Sequence, residues 1–165
     1  MYEPYSFSCF FAFNSTEKLL YFKSSESASH SRMILKNPKV SGTIMPDKLN
    51  KLAIKGIQFT GFVLDRNEPV CADASGNYYF KFPLAVAIPG VVWTIQLNQL
   101  KMTNNVLGIF EKLFWQRDQK LSTESAWCFS LQIHKSINPF STDLLKQNHL
   151  LSFLWIQIRT NSISL

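Results

Sequence analysis

At 165 residues, with 46% apolar and 17% charged side chains, the chain has the composition of one globular domain with a core of its own. This composition argues against intrinsic disorder. The formal net charge of +6 permits attraction to phosphates, but the lysines and arginines are scattered along the sequence and form no dense basic run. Nucleic acid is therefore not favoured as a partner.

The cysteines and the apolar runs indicate where in the cell the protein is located. Cys9, Cys71 and Cys128 are odd in number, far apart and without metal-ligand spacing, so they are typical of inert, reduced thiols. Residues 1–13 lack the positive n-region and continuous apolar core of a signal peptide. The apolar run 149–158 is too short for a membrane-spanning helix. These features predict a cytoplasmic protein with no membrane partner.

The N-terminal segment predicts a hairpin followed by a helix. Residues 6–13 alternate in the manner of a strand, 14–17 form a polar turn, and 18–23 return as a second strand. The hydroxyl-rich stretch 24–31 supplies N-cap candidates for a helix over about 27–36. The Asn37-Pro38 pair ends this helix, because a proline disfavours helical geometry at the preceding residue.

The central segment predicts further strands. Residues 39–45 and 52–65 have strand character, and Gly56 and Gly61 favour bulges or bends. A short apolar helix is expected at 82–88, and a half-buried strand follows in which Trp93, Ile95 and Leu97 alternate with polar residues. We expect Trp93 to lie in the core. Several bent strands with helices in the gaps indicate a mainly antiparallel barrel.

Residues 92–118 are the most informative stretch for function. After the alternating strand we expect a polar corner at 101–105, and the segment closes on Lys112, Trp115 and Arg117. Aromatic surface, amides and cations packed this closely suit a flat, anionic ligand. The competing interpretation is that the tryptophans are simply part of the core.

The order and spacing of five motifs resemble the YhbP-like family of the pyridoxamine 5'-phosphate oxidase-like FMN-binding split-barrel superfamily. The resemblance covers roughly residues 5–118. The motifs are Leu20-Tyr21-Phe22 through Asn37-Pro38-x-Val40, Lys55-Gly56-Ile57-Gln58-Phe59-x-Gly61, Trp93-x-Ile95-x-Leu97, Lys101-x-Thr103-x-Asn105-x-Leu107-Gly108, and Lys112-x-x-Trp115-x-Arg117-Asp118.

This resemblance implies a split β-barrel with two or three short helices, truncated at its N-terminus and lacking the first strand. The barrel domain would occupy 1–118, and 119–165 would be an extension of unknown structure. We favour an unrelated or frameshifted extension that is partly disordered or loosely packed, although strand candidates at 127–134 and 152–159 could cover an open barrel edge. In the family, 67–82 is helical; here Pro69 and Ser75-Gly76 weaken a continuous helix.

The resemblance further implies a homodimer that binds FMN, with flavin-dependent oxidoreductase activity on an unknown substrate. By the resemblance and the residue chemistry together, the cofactor-binding candidates are Ser24, Ser25, His30, Gln58, Lys101, Asn105, Lys112, Trp115 and Arg117. A helix start near Ser24 and Ser25 suits a phosphate. The prediction requires that this helix start and the Trp115/Arg117 corner meet in one pocket.

Departures from the family pattern leave a second function open. Ser29 and His30 stand where relatives often carry arginine and lysine, and Phe110 and Glu111 replace a glycine and a cation. The alternative is therefore a non-catalytic binding or structural module whose flavin site has decayed. A third interpretation is single-stranded nucleic acid binding through basic and aromatic residues. Neither metal-ligand spacing among the histidines nor a hydrolase, Walker or Rossmann motif is present.

Overall fold

A computed structural model describes residues 2–45, 53–106, 109–117 and 153–161. The strands are β1 (Tyr2–Asn14), β2 (Leu19–Ser24), β3 (Lys39–Met45), β4 (Ala53–Val63), β5 (Val91–Val106), β6 (Ile109–Gln116) and β7 (Phe153–Asn161). The helices are α1 (Ser29–Lys36) and α2 (Ala74–Lys81), with 3₁₀ turns at Pro69–Cys71 and Pro83–Ala87. The predicted strand boundaries at 39–45 and 52–65 are confirmed to within two residues.

The strands close into a six-stranded antiparallel barrel. Around the barrel the order is β1, β2, β5, β4, β3 and β7, and β7 pairs back onto β1. The seventh strand, β6, pairs with the far half of β5, beyond the part that pairs with β2. The prediction of a mainly β, split-barrel fold with short helices is therefore confirmed.

Alternation along the strands fills the barrel. Leu20 and Phe22 of β2, Ile57 and Phe59 of β4, and Trp93 of β5 point inward and are buried together. Ile34 of α1 joins the same cluster, so this helix covers one end of the barrel. The prediction that Trp93 lies in the core is confirmed, with its ring stacked 6.4 Å from that of Phe22.

A second, smaller core lies outside the barrel, beneath α2. Ala74 and Tyr78 of this helix pack on Tyr21 of β2 and Val92 of β5. The helix runs through Ser75 and Gly76, because burial of its apolar face outweighs the weak helix propensity of these two residues. The apolar segment after it is a 3₁₀ turn, fixed by Lys23 Nζ, which donates to the carbonyls of Ala85 and Ile88 at 2.7 and 2.6 Å.

The expected polar corner at 101–105 is wrong. β5 continues without interruption to Val106 because both of its edges are paired there, with β4 on one side and β6 on the other. Two paired edges satisfy the backbone polar groups of this polar stretch, so its composition does not end the strand.

The C-terminal part of the chain completes the barrel. β7 lies between β1 and β3, antiparallel to both, and buries Leu154, Ile156 and Ile158 in the barrel core. The preference for an unrelated or loosely packed extension is thereby corrected for 153–161, and the strand candidate at 152–159 is confirmed. The barrel is not complete at residue 118. The strand candidate at 127–134 lies outside the described residues.

Two further expectations concern the cysteines and membrane spans. Cys9 and Cys71 are free thiols, and burial raises the pKa of Cys9 to about 12, so this thiol stays protonated and unreactive. Cys128 lies outside the described residues. Within the described ranges, no helix is long and apolar enough to cross a membrane.

Candidate functional site

Ser24 and His30 lie side by side where β2 leads into α1. The His30 ring stacks on Phe7 of β1, with centroids 3.9 Å apart and planes inclined by 11°. Its Nε2 lies 2.5 Å from the Ser24 hydroxyl. Burial lowers the pKa of His30, so at neutral pH the imidazole is largely uncharged and a weak partner for a phosphate.

The serines before α1 do not cap it as predicted. The N-cap residue is Ala28, and no side chain bonds to the first turn. Ser31 instead donates to the Ser25 carbonyl at 2.6 Å, and the hydroxyls of Ser25 and Ser27 lie 2.8 Å apart. These serines hold the connecting loop against the helix. The helix N-terminus therefore keeps backbone N–H groups that no side-chain cap occupies.

Three other predicted residues meet on the outside of the barrel. Gln58, Lys101 and Lys112 all point away from the core on β4, β5 and β6, and we call the outward-pointing surface of β3, β4, β5 and β6 the outer sheet face. In the strand register Gln58 pairs with Lys101, which pairs with Phe114. Lys112 is two residues from Phe114 on β6, on the same face.

Phe114 is the residue that the sequence analysis missed. Its side chain is 62% exposed, and Lys101 Nζ lies 5.9 Å from the centroid of its ring. The alternation Lys112, Phe114, Gln116 against the inward Leu113 and Trp115 is visible in the sequence. Which of the two sets faces solvent became clear only once the pairing of β6 was known.

Asn105 lies on β5, where its backbone pairs with Ile54 and Phe110. It is four residues beyond Lys101 along the strand. Its backbone position thus extends the row of polar positions on β5 away from α1.

Trp115 and Arg117 do not belong to the outer sheet face. Trp115 is half-buried against the barrel core. The guanidinium of Arg117 donates to the carbonyls of Leu97, Glu17 and Lys18 at 2.7, 3.0 and 3.1 Å. These bonds tie the β1–β2 turn to β5, a structural contact that occupies donors which a phosphate would otherwise use.

We expect replacement of Arg117 with lysine to lower the free energy of unfolding by about 1–3 kcal/mol, because a compact ammonium cannot reproduce the separate, fixed donors of the guanidinium fork that meet these three carbonyls. The control is Arg66→Lys, since Arg66 forms an exposed ion pair with Glu26. The Arg66→Lys change should lower the free energy of unfolding by less than about 1 kcal/mol. Urea unfolding followed by tryptophan fluorescence measures both. Equal stabilities of the two variants would show that the Arg117 contacts do not hold the turn.

Among the described residues, the helix start and the other predicted cofactor residues are separated along β5. Ser24 pairs with Val91 at the start of β5, whereas Lys101 is ten residues farther along that strand. At about 3.3 Å per residue, this corresponds to roughly 30 Å along the strand. Arg117 is nearer, since its N–H bonds to the Asn98 carbonyl, but Asn98 is still seven residues beyond Val91.

The described residues contain no group of histidine, cysteine and acidic side chains that could hold a metal ion. His30 is the one histidine among them, and its nitrogen already faces a serine. The arrangement offers cations, amides and one exposed ring. Groups of these kinds are the ones with which proteins bind and orient a ligand.

Comparisons with known proteins give a family and a distant fold likeness. No protein-family model matches the chain. A UPF0306 protein of Photorhabdus laumondii is 36% identical over 110 residues, which cover 67% of this chain and 77% of that protein. A UPF0306 protein of Yersinia pseudotuberculosis is 33% identical over 114 residues, covering 69% and 78%.

Among solved structures, a heme-binding protein from Mycobacterium smegmatis aligns with a TM-score of 0.48 and 15% identity. The alignment covers 64% of this chain and 52% of that one, so the chain spans about half its length. A likeness this distant carries no conclusion about a ligand.

Proposed function

The chain belongs to the UPF0306 family, and from this membership and its split barrel we propose that it binds flavin mononucleotide, as a homodimer, in the manner of pyridoxamine-phosphate-oxidase-like proteins. The observation that carries the proposal is the convergence of Gln58, Lys101 and Lys112 on the outer sheet face. The family resemblance and the residue chemistry together led us to expect these residues at the cofactor.

The outer sheet face has the chemistry that a phosphorylated ring requires. Lys101 and Lys112 supply cations for a phosphate, and Gln58 supplies amide donor and acceptor groups. Among the outward positions of β3 to β6 whose side chains the structure describes, none is an aspartate or glutamate that would repel the phosphate. Flavin, when bound, would supply the redox chemistry, while the residues of the chain would set affinity and orientation.

A homodimer is part of the proposal because of the distance between the two groups of predicted residues. Ser24 and His30 lie at the α1 end of the barrel, far along β5 from Lys101. One ligand that touches both groups needs two chains. A second copy would bring its own helix start to the outer sheet face of the first.

The second candidate is a binding or structural module in which the flavin site has decayed. Two observations favour it. His30 is stacked on Phe7 and bonded to Ser24, and Arg117 is engaged with three backbone carbonyls. Neither side chain is then available for a ligand without breaking these contacts.

Titration of FMN separates the two candidates. Flavin binding predicts quenching of FMN fluorescence at micromolar protein. Replacement of both Lys101 and Lys112 with alanine should weaken that binding by about tenfold or more, since each charged hydrogen bond is worth roughly 1.5–3 kcal/mol. Replacement of Lys81, which lies on α2 away from this face, is the control.

Absence of quenching by the wild-type protein favours the decayed module. Light scattering with and without FMN tests whether the protein is a homodimer.

A further inference from the structure

The outer sheet face is larger than the set of residues expected to bind flavin. Toward the α1 end it continues through Lys39 of β3, whose register partner on β4 is Phe62, which in turn pairs with Gln96 of β5. Toward the other end it reaches Lys112. Neutral hydroxyl and amide side chains, such as Thr60 and Gln99, fill the space between.

Three of the described lysines lie on the outer sheet face. Lys39, Lys101 and Lys112 come from three different strands and are far apart in sequence, yet they share this face. Of the acidic residues, Glu17 lies in the β1–β2 turn, Glu26 before α1, and Asp65, Glu68 and Asp73 between β4 and α2, while Glu3 is on β1 and Glu111 on β6, where it alternates with Lys112. The face is therefore cationic on a chain whose net charge is already +6.

The shape and chemistry of the face suit one kind of anion. Along β3, the seven residues from Lys39 to Met45 span about 20 Å, and four strands span about 14 Å. Phe114 offers an exposed ring beside Lys101, and Phe62 is half-buried on the same surface. An exposed ring can stack on an unpaired base, whereas a duplex hides the faces of its bases.

We propose that the outer sheet face binds single-stranded nucleic acid, with Phe114 stacking on a base and Lys39, Lys101 and Lys112 contacting phosphates. This differs from the expectation drawn from the scattered positive charge. The sheet register gathers lysines that no sequence run contains. The proposal goes beyond flavin binding, because Lys39 and Phe114 are not among the predicted flavin residues.

The test is fluorescence anisotropy with labelled oligothymidine and oligouridine of about ten to fifteen nucleotides, within the site sizes of single OB-fold domains. Three phosphate contacts predict a slope of about −2 for log affinity against log salt. Lys39→Glu and Lys112→Glu should each weaken binding and make the slope shallower by about 0.7. Phe114→Leu should weaken binding by roughly fivefold or more without changing the slope.

Lys81→Glu is the matched control, because it makes the same change in net charge on the surface of α2. It should alter affinity by less than about twofold and leave the slope unchanged. Circular dichroism establishes that each variant is folded. The proposal is overturned if the wild-type protein shows no saturable binding at about 50 mM salt. It is equally overturned if Lys81→Glu weakens binding as much as Lys112→Glu.

Discussion

Replacing Gly61 with alanine is expected to destabilise the barrel by about 3 kcal/mol or more, within the upper range for overpacked cores. Gly61 lies where the β4–β5 register shifts, between Thr60 and Gly61. A Cβ there would overlap the Gln96 carbonyl oxygen and lie 3.0 Å from Ile95 Cγ2. Because the nearest atom is backbone, relief requires a shift of the paired strand itself.

Gly76→Ala is the matched control for the same chemical change. No atom lies within 4 Å of the position that its Cβ would occupy, and Gly76 is inside α2. Alanine should therefore stabilise the protein, by up to about 1 kcal/mol, through helix propensity. Thermal and urea unfolding measure both variants. If Gly61→Ala leaves stability unchanged, the close approach of β4 and β5 at the bulge does not exist.

Truncation of Ile156 to alanine is expected to lower the free energy of unfolding by about 2–5 kcal/mol. Ile156 is 0% exposed on β7, between Phe7 of β1 and Gly42 of β3 in the register. Its loss would leave a cavity in the barrel core and remove apolar burial from the strand that closes the barrel.

Gln157 is the control for this strand. It follows Ile156 directly and points to solvent, so Gln157→Ala should change stability by less than about 0.5 kcal/mol. Chemical unfolding of the two variants gives the comparison. If Ile156→Ala proves as stable as Gln157→Ala, residues 153–161 do not form part of the barrel in solution, and the domain would end near residue 118 as first expected.

The sequence was a good guide wherever a local pattern was enough. Alternation placed β1 and the first half of β5 correctly, and Pro38 marked the end of α1. Gly61 was predicted as a bend and lies at the register shift, whereas Gly56 lies in unbroken register. A glycine in the sequence shows only that the position has no side chain. Whether the strand bulges depends on how close its neighbour comes.

The sequence was a poor guide where a partner strand decides the outcome. Polar residues at 101–105 suggested a corner, but pairing on both edges keeps them in a strand. Arg117 looked like a phosphate ligand, and its guanidinium is bonded to carbonyls that lie about a hundred residues away in the chain. Neither partner is visible in the local sequence.

The sequence by itself determined the strand periodicity, the helix after the first hairpin, the barrel class and the membership in a family. The periodicity and the helix follow from local side-chain patterns, which one strand or helix carries alone, whereas the barrel class and the family follow from the resemblance of the motifs, in their order and spacing, to known proteins. Only the tertiary structure decided that β7 closes the barrel, that Ser24 lies far from Lys101 along β5, and that Lys39, Lys101, Lys112 and Phe114 share one face. Each of these depends on which strands pair and in what register, and pairing brings together residues that the chain keeps far apart.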